Sequence, residues 1–111
     1  MEAEEFLPLT ETSFFILLSL ATMPKHGYGI IKEVESFSAG RVVLAAGTLY
    51  SALRRMLEGG WIERLEDENP NDDGQERKLY GLTDLGRRIF ELETQRLQRL
   101  VRLTTRLNER Q

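Results

Sequence analysis

The chain of 111 residues contains no cysteine, which excludes disulfides, thiolate zinc sites and cysteine nucleophiles and is compatible with a reducing compartment. A single histidine, His26, cannot build a metal site by itself. Long apolar runs are missing too. No segment reaches the roughly 20 apolar residues that span a bilayer. The run from Phe14 to Ala21 follows acids rather than the basic flank of a signal peptide. The expectation is a soluble, cytoplasmic protein with no membrane segment and no cofactor. Paired acids on one rigid element and a phosphate-cradling glycine loop are also lacking, which makes an enzyme the weakest functional class. A single domain of this size buries only about 60 to 70% of its unfolded surface, so its core is limited and a helix left over would favour dimerisation.

Positive charge is scarce in the sum but not in its distribution. The formal net charge is -3, which taken as a sum argues against a nucleic-acid partner. Six of the 18 acids, however, crowd between Glu66 and Glu76 with no base among them, and Glu2, Glu4 and Glu5 add three near the start. Setting these aside leaves 15 cations against nine anions, so the remainder of the chain is basic.

The richest stretch is Gly47 to Glu63, GTLYSALRRMLEGGWIE. Leu49, Ala52, Leu53, Met56 and Leu57 recur at the spacing that places apolar side chains on one helical face. The opposite face carries Gly47, Tyr50, Ser51, Arg54 and Arg55, whose hydroxyl, phenol and guanidinium groups can donate to base edges and phosphates. Gly59-Gly60 is a helix stop of the left-handed kind, and Trp61 to Leu65 alternates as a strand does. Arg77 to Leu82 supplies its partner, with turn signals at Asn69-Pro70 and Asp73-Gly74 between them. Helix, glycine stop and hairpin in that order form the core of a winged helix-turn-helix. Six carboxylates along the hairpin tip would repel a phosphate backbone, so the tip is expected to point away from DNA, be disordered or meet another partner, leaving Arg77 and Lys78 at the wing's base as the phosphate clamp.

Upstream, Thr10 can cap a helix over the apolar run Phe14 to Ala21, whose all-round hydrophobicity implies burial. Pro24 ends it, and Lys25-His26-Gly27 turns into a second helix with Ile30, Ile31 and Val34 inward and Tyr28 in the core. A small first strand of the wing sheet is expected around Arg41 to Leu44, with Arg41 as a backbone anchor. Trp61, starting a strand, reads as a packing residue rather than a ligand platform.

Three blocks, His26-Gly-Tyr-Gly-Ile30, Gly47-Thr-Leu-Tyr-Ser-Ala-Leu-Arg-Arg-Met-Leu57 and Arg77-Lys-Leu-Tyr-Gly-Leu-Thr-Asp-Leu-Gly86, appear together in an order and spacing that resembles the PadR family of bacterial transcriptional regulators, in its short form. The resemblance implies a mainly α fold with a small β-hairpin: a winged helix-turn-helix over residues 1–82 and a long C-terminal dimerisation helix over 83–111. It also implies a repressor, double-stranded DNA as partner, and a small aromatic or amphipathic effector, for which Phe6, Phe14, Phe15, Phe90 and Leu97 are available, although ordinary core and interface packing is the favoured reading of these five. Two copies of the surface Thr48 to Arg55 would then enter successive major grooves. Tyr50, Ser51 and Arg54 are expected in or beside the groove, Thr48 and Arg55 on flanking phosphates, and Lys78 on the wing side.

Thr83 caps the last helix, with Asp84 at its positive end. Its stripe of Leu85, Ile89, Leu92, Leu97, Leu100, Leu103 and Leu107 is too broad for so small a domain to cover, which points to a second copy of the chain. Arg96, Arg99, Arg102, Arg106 and Arg110 take much of the remaining surface as solubilising and interchain charges. The alternative to a regulator is a winged helix used for protein contact, with the acidic wing docking on a basic partner.

Overall fold

The computed structural model describes residues 2–66 and 78–109. The acids from Asp67 to Glu76, both turn signals, Arg77 and Arg110 lie outside the described residues. A short 3-10 turn, Ala3–Phe6, leads into α1 (Glu11–Ala21), β1 (Lys25–His26), α2 (Gly27–Phe37), α3 (Ala46–Glu58), β2 (Ile62–Leu65), β3 (Leu79–Leu82) and α4 (Asp84–Glu109). This is the expected winged helix-turn-helix with a long final helix.

Each boundary has a local cause. The Thr10 hydroxyl accepts the Ser13 N–H at 3.1 Å, closing the exposed start of α1. At the end of α3, Gly60 takes φ +77°, and the N–H groups of Gly60 and Trp61 return to the carbonyls of Leu57 and Met56. That pattern satisfies the last carbonyls of the helix and reverses the chain directly into β2. The Thr83 hydroxyl accepts the Gly86 N–H at 3.1 Å while donating back to the Gly60 and Trp61 carbonyls, so one side chain starts α4 and ties it to the end of α3.

The core is built on α1, where Ile16, Leu17 and Leu20 are buried, against Ile30 and Val34 of α2 and Leu49, Ala52, Leu53 and Met56 of α3. Ile62, Tyr80 and Ile89 close it from the sheet and from α4. Phe6 meets Trp61 edge to face with ring centres 5.1 Å apart, so Trp61 packs, as its place in the chain suggested.

The three strands are antiparallel in the order β1-β3-β2. The first strand is therefore Lys25–His26, paired with Tyr80 and Leu79, and not Arg41 to Leu44. Two residues with positive φ, Ala39 and Gly40, turn the chain after α2, and the Val42 N–H is taken by the Ser38 hydroxyl at 2.9 Å. That segment is folded back on the helix end rather than offered to a sheet. Tyr28 is likewise not in the core: it is 69% exposed. Helical phase sets it one turn before Lys32, whose ammonium lies 5.5 Å from the ring centre, and away from Ile30 and Val34.

The apolar stripe of α4 divides into two. Ile89 is fully buried inside its own chain, and Leu85 and Leu92, partly buried, pack on the same core. The cause is a close approach at Gly86, where any Cβ would collide with the Trp61 carbonyl oxygen. Beyond Leu97 the helix leaves the domain: Leu100, Val101, Leu103 and Leu107 are 45, 62, 54 and 63% exposed. The projecting end makes the molecule 61 Å long and 22 Å thick. Between the two halves, Glu93 is only 2% exposed. Its carboxylate accepts the Leu9 N–H at 2.8 Å and two N–H groups of Arg96. The Arg96 guanidinium holds the carboxyl below its ordinary range, burial pushes it up, and the Leu9 N–H adds to the lowering.

Candidate nucleic-acid interface

The surface of α3 follows from its phase. With Leu49, Ala52, Leu53 and Met56 sealed against the core, a 3.6-residue repeat turns Gly47, Ser51, Arg54 and Glu58 directly outward. Tyr50 and Leu57 fall on the flank toward the sheet, Thr48 and Arg55 on the flank toward α1. Arg55 lies with Ser13 and Trp61 around a shallow hollow and donates to the Ser51 hydroxyl at 3.2 Å. Thr48, Tyr50, Ser51, Arg54 and Arg55 are all exposed. At the start of the helix, Ala45 has no side-chain oxygen to cap the first turn, which leaves those N–H groups to an outside acceptor.

On the sheet flank, Tyr50, Leu53, Arg54 and Leu57 of α3 meet Arg64 of β2, Lys78 and Tyr80 in a groove of about 350 Å³. Three of the expected residues, Tyr50, Arg54 and Lys78, are thus brought together. Arg64 joins them although sequence reasoning passed it over. It stands directly opposite Tyr80 in the β2-β3 register, so both side chains leave the same face of the sheet. A cation placed across from an aromatic at the base of a hairpin is the signal that could have found it. Burial raises the Tyr80 phenol above its ordinary value, while the Arg64 charge and hydrogen bond pull it down and the nearby Tyr50 phenol adds to the rise.

Two residues build this groove without lining it. A Cβ at Gly27 would come within 2.7 Å of the Tyr50 hydroxyl, so glycine there opens the space in which the phenol lies. The His26 ring faces the Lys78 carbonyl, with Nδ1 at 3.2 Å, a contact in which the nitrogen must carry the proton because a carbonyl only accepts. The neighbouring pair His26-Gly27 therefore fixes both the sheet side and the helix side of the groove. Arg41 stands elsewhere: exposed, it pairs with Glu11 at the start of α1, apart from the groove residues. Arg77 lies outside the described residues.

A second, more open groove of about 540 Å³ runs between α1 and α4, lined by Phe14, Thr94, Leu97, Gln98, Val101 and Arg102. Phe90 stacks on Phe14 at 5.5 Å, whereas Phe6 is engaged with Trp61, so the aromatic residues available to an effector pack in two separate places. Among the described residues no helix is long and apolar enough to cross a membrane, and no group of three or more His, Cys, Asp or Glu could hold a metal ion.

The model of the transcriptional regulator PadR-like family matches residues 16–92. Among solved structures, a PadR family transcription regulator from Clostridium difficile superposes with a TM-score of 0.72 at 26% identity, over 88% of this chain and 98% of the other. PadR from Bacillus subtilis, solved in complex with operator DNA, superposes with a TM-score of 0.63 at 21% identity over 76% of this chain and 46% of the other, a likeness of fold alone. An uncharacterised 37.1 kDa protein in a transposon of Streptomyces fradiae is 33% identical over 90 residues, 81% of this chain. The chain spans about a quarter of that relative's length, 24%.

Proposed function

The chain belongs to the PadR-like family of transcriptional regulators, and from that membership we propose that it is a homodimeric, cytoplasmic repressor that reads a palindromic operator. The observation that carries this reading is the face of α3, where polar and cationic side chains are exposed over an apolar stripe buried at Leu49, Ala52, Leu53 and Met56. Residues 1–82 bind DNA, and residues 83–111 join two copies through the exposed end of α4. Symmetry then sets half-sites about one helical turn apart, roughly 34 to 36 Å. Ser51 and Arg54 point straight out for base edges, Tyr50 sits beside them, and Thr48 and Arg55 meet phosphate on the α1 flank. Lys78 and Arg77 approach phosphate from the wing. Arg41 contacts the backbone only after giving up Glu11. The groove between α1 and α4 suits the effector, a flat apolar molecule with a polar end that could meet the Thr94 hydroxyl or Arg102.

Fluorescence anisotropy of the whole protein against the DNA upstream of its own coding sequence and a scrambled duplex, at low and near-physiological salt, tests the reading. The expected result is a preference for the upstream duplex that survives salt. Arg54→Ala should weaken operator binding by about 1 to 3 kcal/mol and narrow the gap between operator and scrambled DNA, whereas Lys78→Ala should weaken both alike. Equal losses on both duplexes for Arg54→Ala would remove Arg54 from base reading.

A further inference from the structure

We propose that Arg64, facing Tyr80, is the central residue of a preformed cradle for one phosphodiester of duplex DNA, closed on its helix side by Tyr50 and on its wing side by Lys78. This rests on the DNA-binding reading above and adds to it a residue and a ligand atom.

The argument begins with charge. Three cations, Arg54, Arg64 and Lys78, line one groove of about 350 Å³, and no carboxylate is among the described residues that line it. Among the described residues, none of the three is in an ion pair. Bringing like charges together without counterions costs energy that a bound anion returns, and a narrow groove with apolar walls, here Leu53 and Leu57, strengthens the return by limiting water.

Orientation comes next. An exposed arginine ordinarily loses much side-chain freedom on binding. Arg64 is restrained beforehand by its place directly across the β2-β3 ladder from the buried Tyr80, with which it lines the groove. A phosphate oxygen accepts well from a guanidinium fork. The Tyr50 hydroxyl adds a neutral donor at the helix side.

Location completes it. The groove separates the outward ridge of α3 from the base of the hairpin. When α3 lies in a major groove, the strand bordering that groove passes between the helix and the wing. Phosphate contacts there fix register and carry no sequence information.

The test uses the whole protein and a duplex of random sequence, so it needs no known operator. Affinity is measured by anisotropy across a series of monovalent salt concentrations for the wild type, Arg64→Gln and Tyr80→Phe, and again with the upstream duplex. Arg64→Gln should lower affinity for both duplexes by a similar factor, about ten- to a hundredfold at low salt, and make the slope of log affinity on log salt shallower by about one. Tyr80→Phe keeps the ring in the core and removes the hydroxyl that faces Arg64 across the ladder; it should produce a smaller loss on both duplexes with the slope unchanged, because the charge remains. An unchanged slope for Arg64→Gln in a protein that binds DNA overturns the cradle while leaving the regulator reading intact. A loss confined to the upstream duplex overturns it as well, since that marks a base contact. Absence of any wild-type binding at low salt overturns both readings together.

Discussion

The two amphipathic helices α3 and α4 share one periodicity and leave opposite chemistry in view. In α3 the apolar stripe from Leu49 to Met56 is consumed by the core, Leu57 is half-buried, and what remains exposed is mostly hydroxyl, phenol and guanidinium. In α4 the stripe is consumed only as far as Leu97, and what remains beyond it is leucine and valine. Amphipathicity alone thus says that a helix has two faces; which face is left over depends on how far the domain reaches along it. A polar remainder suits a hydrated polyanion, whereas an apolar remainder is stabilised by a second protein surface.

The largest expected effect breaks the inner half of α4. Gly86→Ala would force the helix off the Trp61 carbonyl, together with Thr83, which is bonded to the same loop. Backbone atoms cannot give way as a flexible side chain can, so a loss of about 4 kcal/mol or more in denaturant unfolding is expected. A near-wild-type midpoint would mean that the inner half is not locked as described.

Sharpening the outer half is the next step. Leu103→Glu places a charge on the exposed leucine stripe, where it costs the single chain little and a dimer a great deal. Sedimentation should show the dimer dissociation constant raised more than a hundredfold, about 3 kcal/mol, with the helical circular dichroism of the domain retained. If the dimer mass persists unchanged, the exposed end of α4 is not the interface and the contrast with α3 loses its meaning.

The smallest effect concerns the joint between the halves. Because the Glu93 carboxyl is held below its ordinary range by Arg96 and the Leu9 N–H, its contribution is complete above the unfolded value of about pH 4.3 and is lost as pH falls through the lower folded value. Glu93→Gln should therefore cost about 2 kcal/mol near neutrality, and the variant's stability should fall less between about pH 5 and 2 than the wild type's. Parallel pH profiles for the two proteins would show that Glu93 contributes nothing through its charge.

These contrasts also explain what the sequence made legible. The stripe of α3, its glycine stop and the caps at Thr10 and Thr83 depend on neighbours within one or two turns, so local spacing revealed them. Tyr50 and Arg54 could be placed on the outer side of α3 for the same reason, whereas Lys78 was placed from the hairpin, at the wing's base. Lys25–His26 could not be read as a strand, because two residues have no period and their partner lies far along the chain. Val42 and Val43 suggested a strand by composition, but Ser38 and the left-handed residues before them decide otherwise. Arg64 resembles any exposed arginine until Tyr80 is set opposite it. Glu93 had a local signal that went unread: with Gly86 and Ile89 it keeps the interior phase of α4, and Arg96 follows one turn later.

The unbroken course of α4 makes it a lever. Its 26 residues extend about 39 Å at 1.5 Å each, with one end fastened beside the exit of α3 and the other carrying the exposed leucines. In a pair of chains joined at the far end, a pivot of roughly 10° there would carry each α3 sideways by about 7 Å, the rise of about two base pairs. A small molecule wedged between α1 and α4 would need only a slight change of angle to put the two reading helices out of step with their sites.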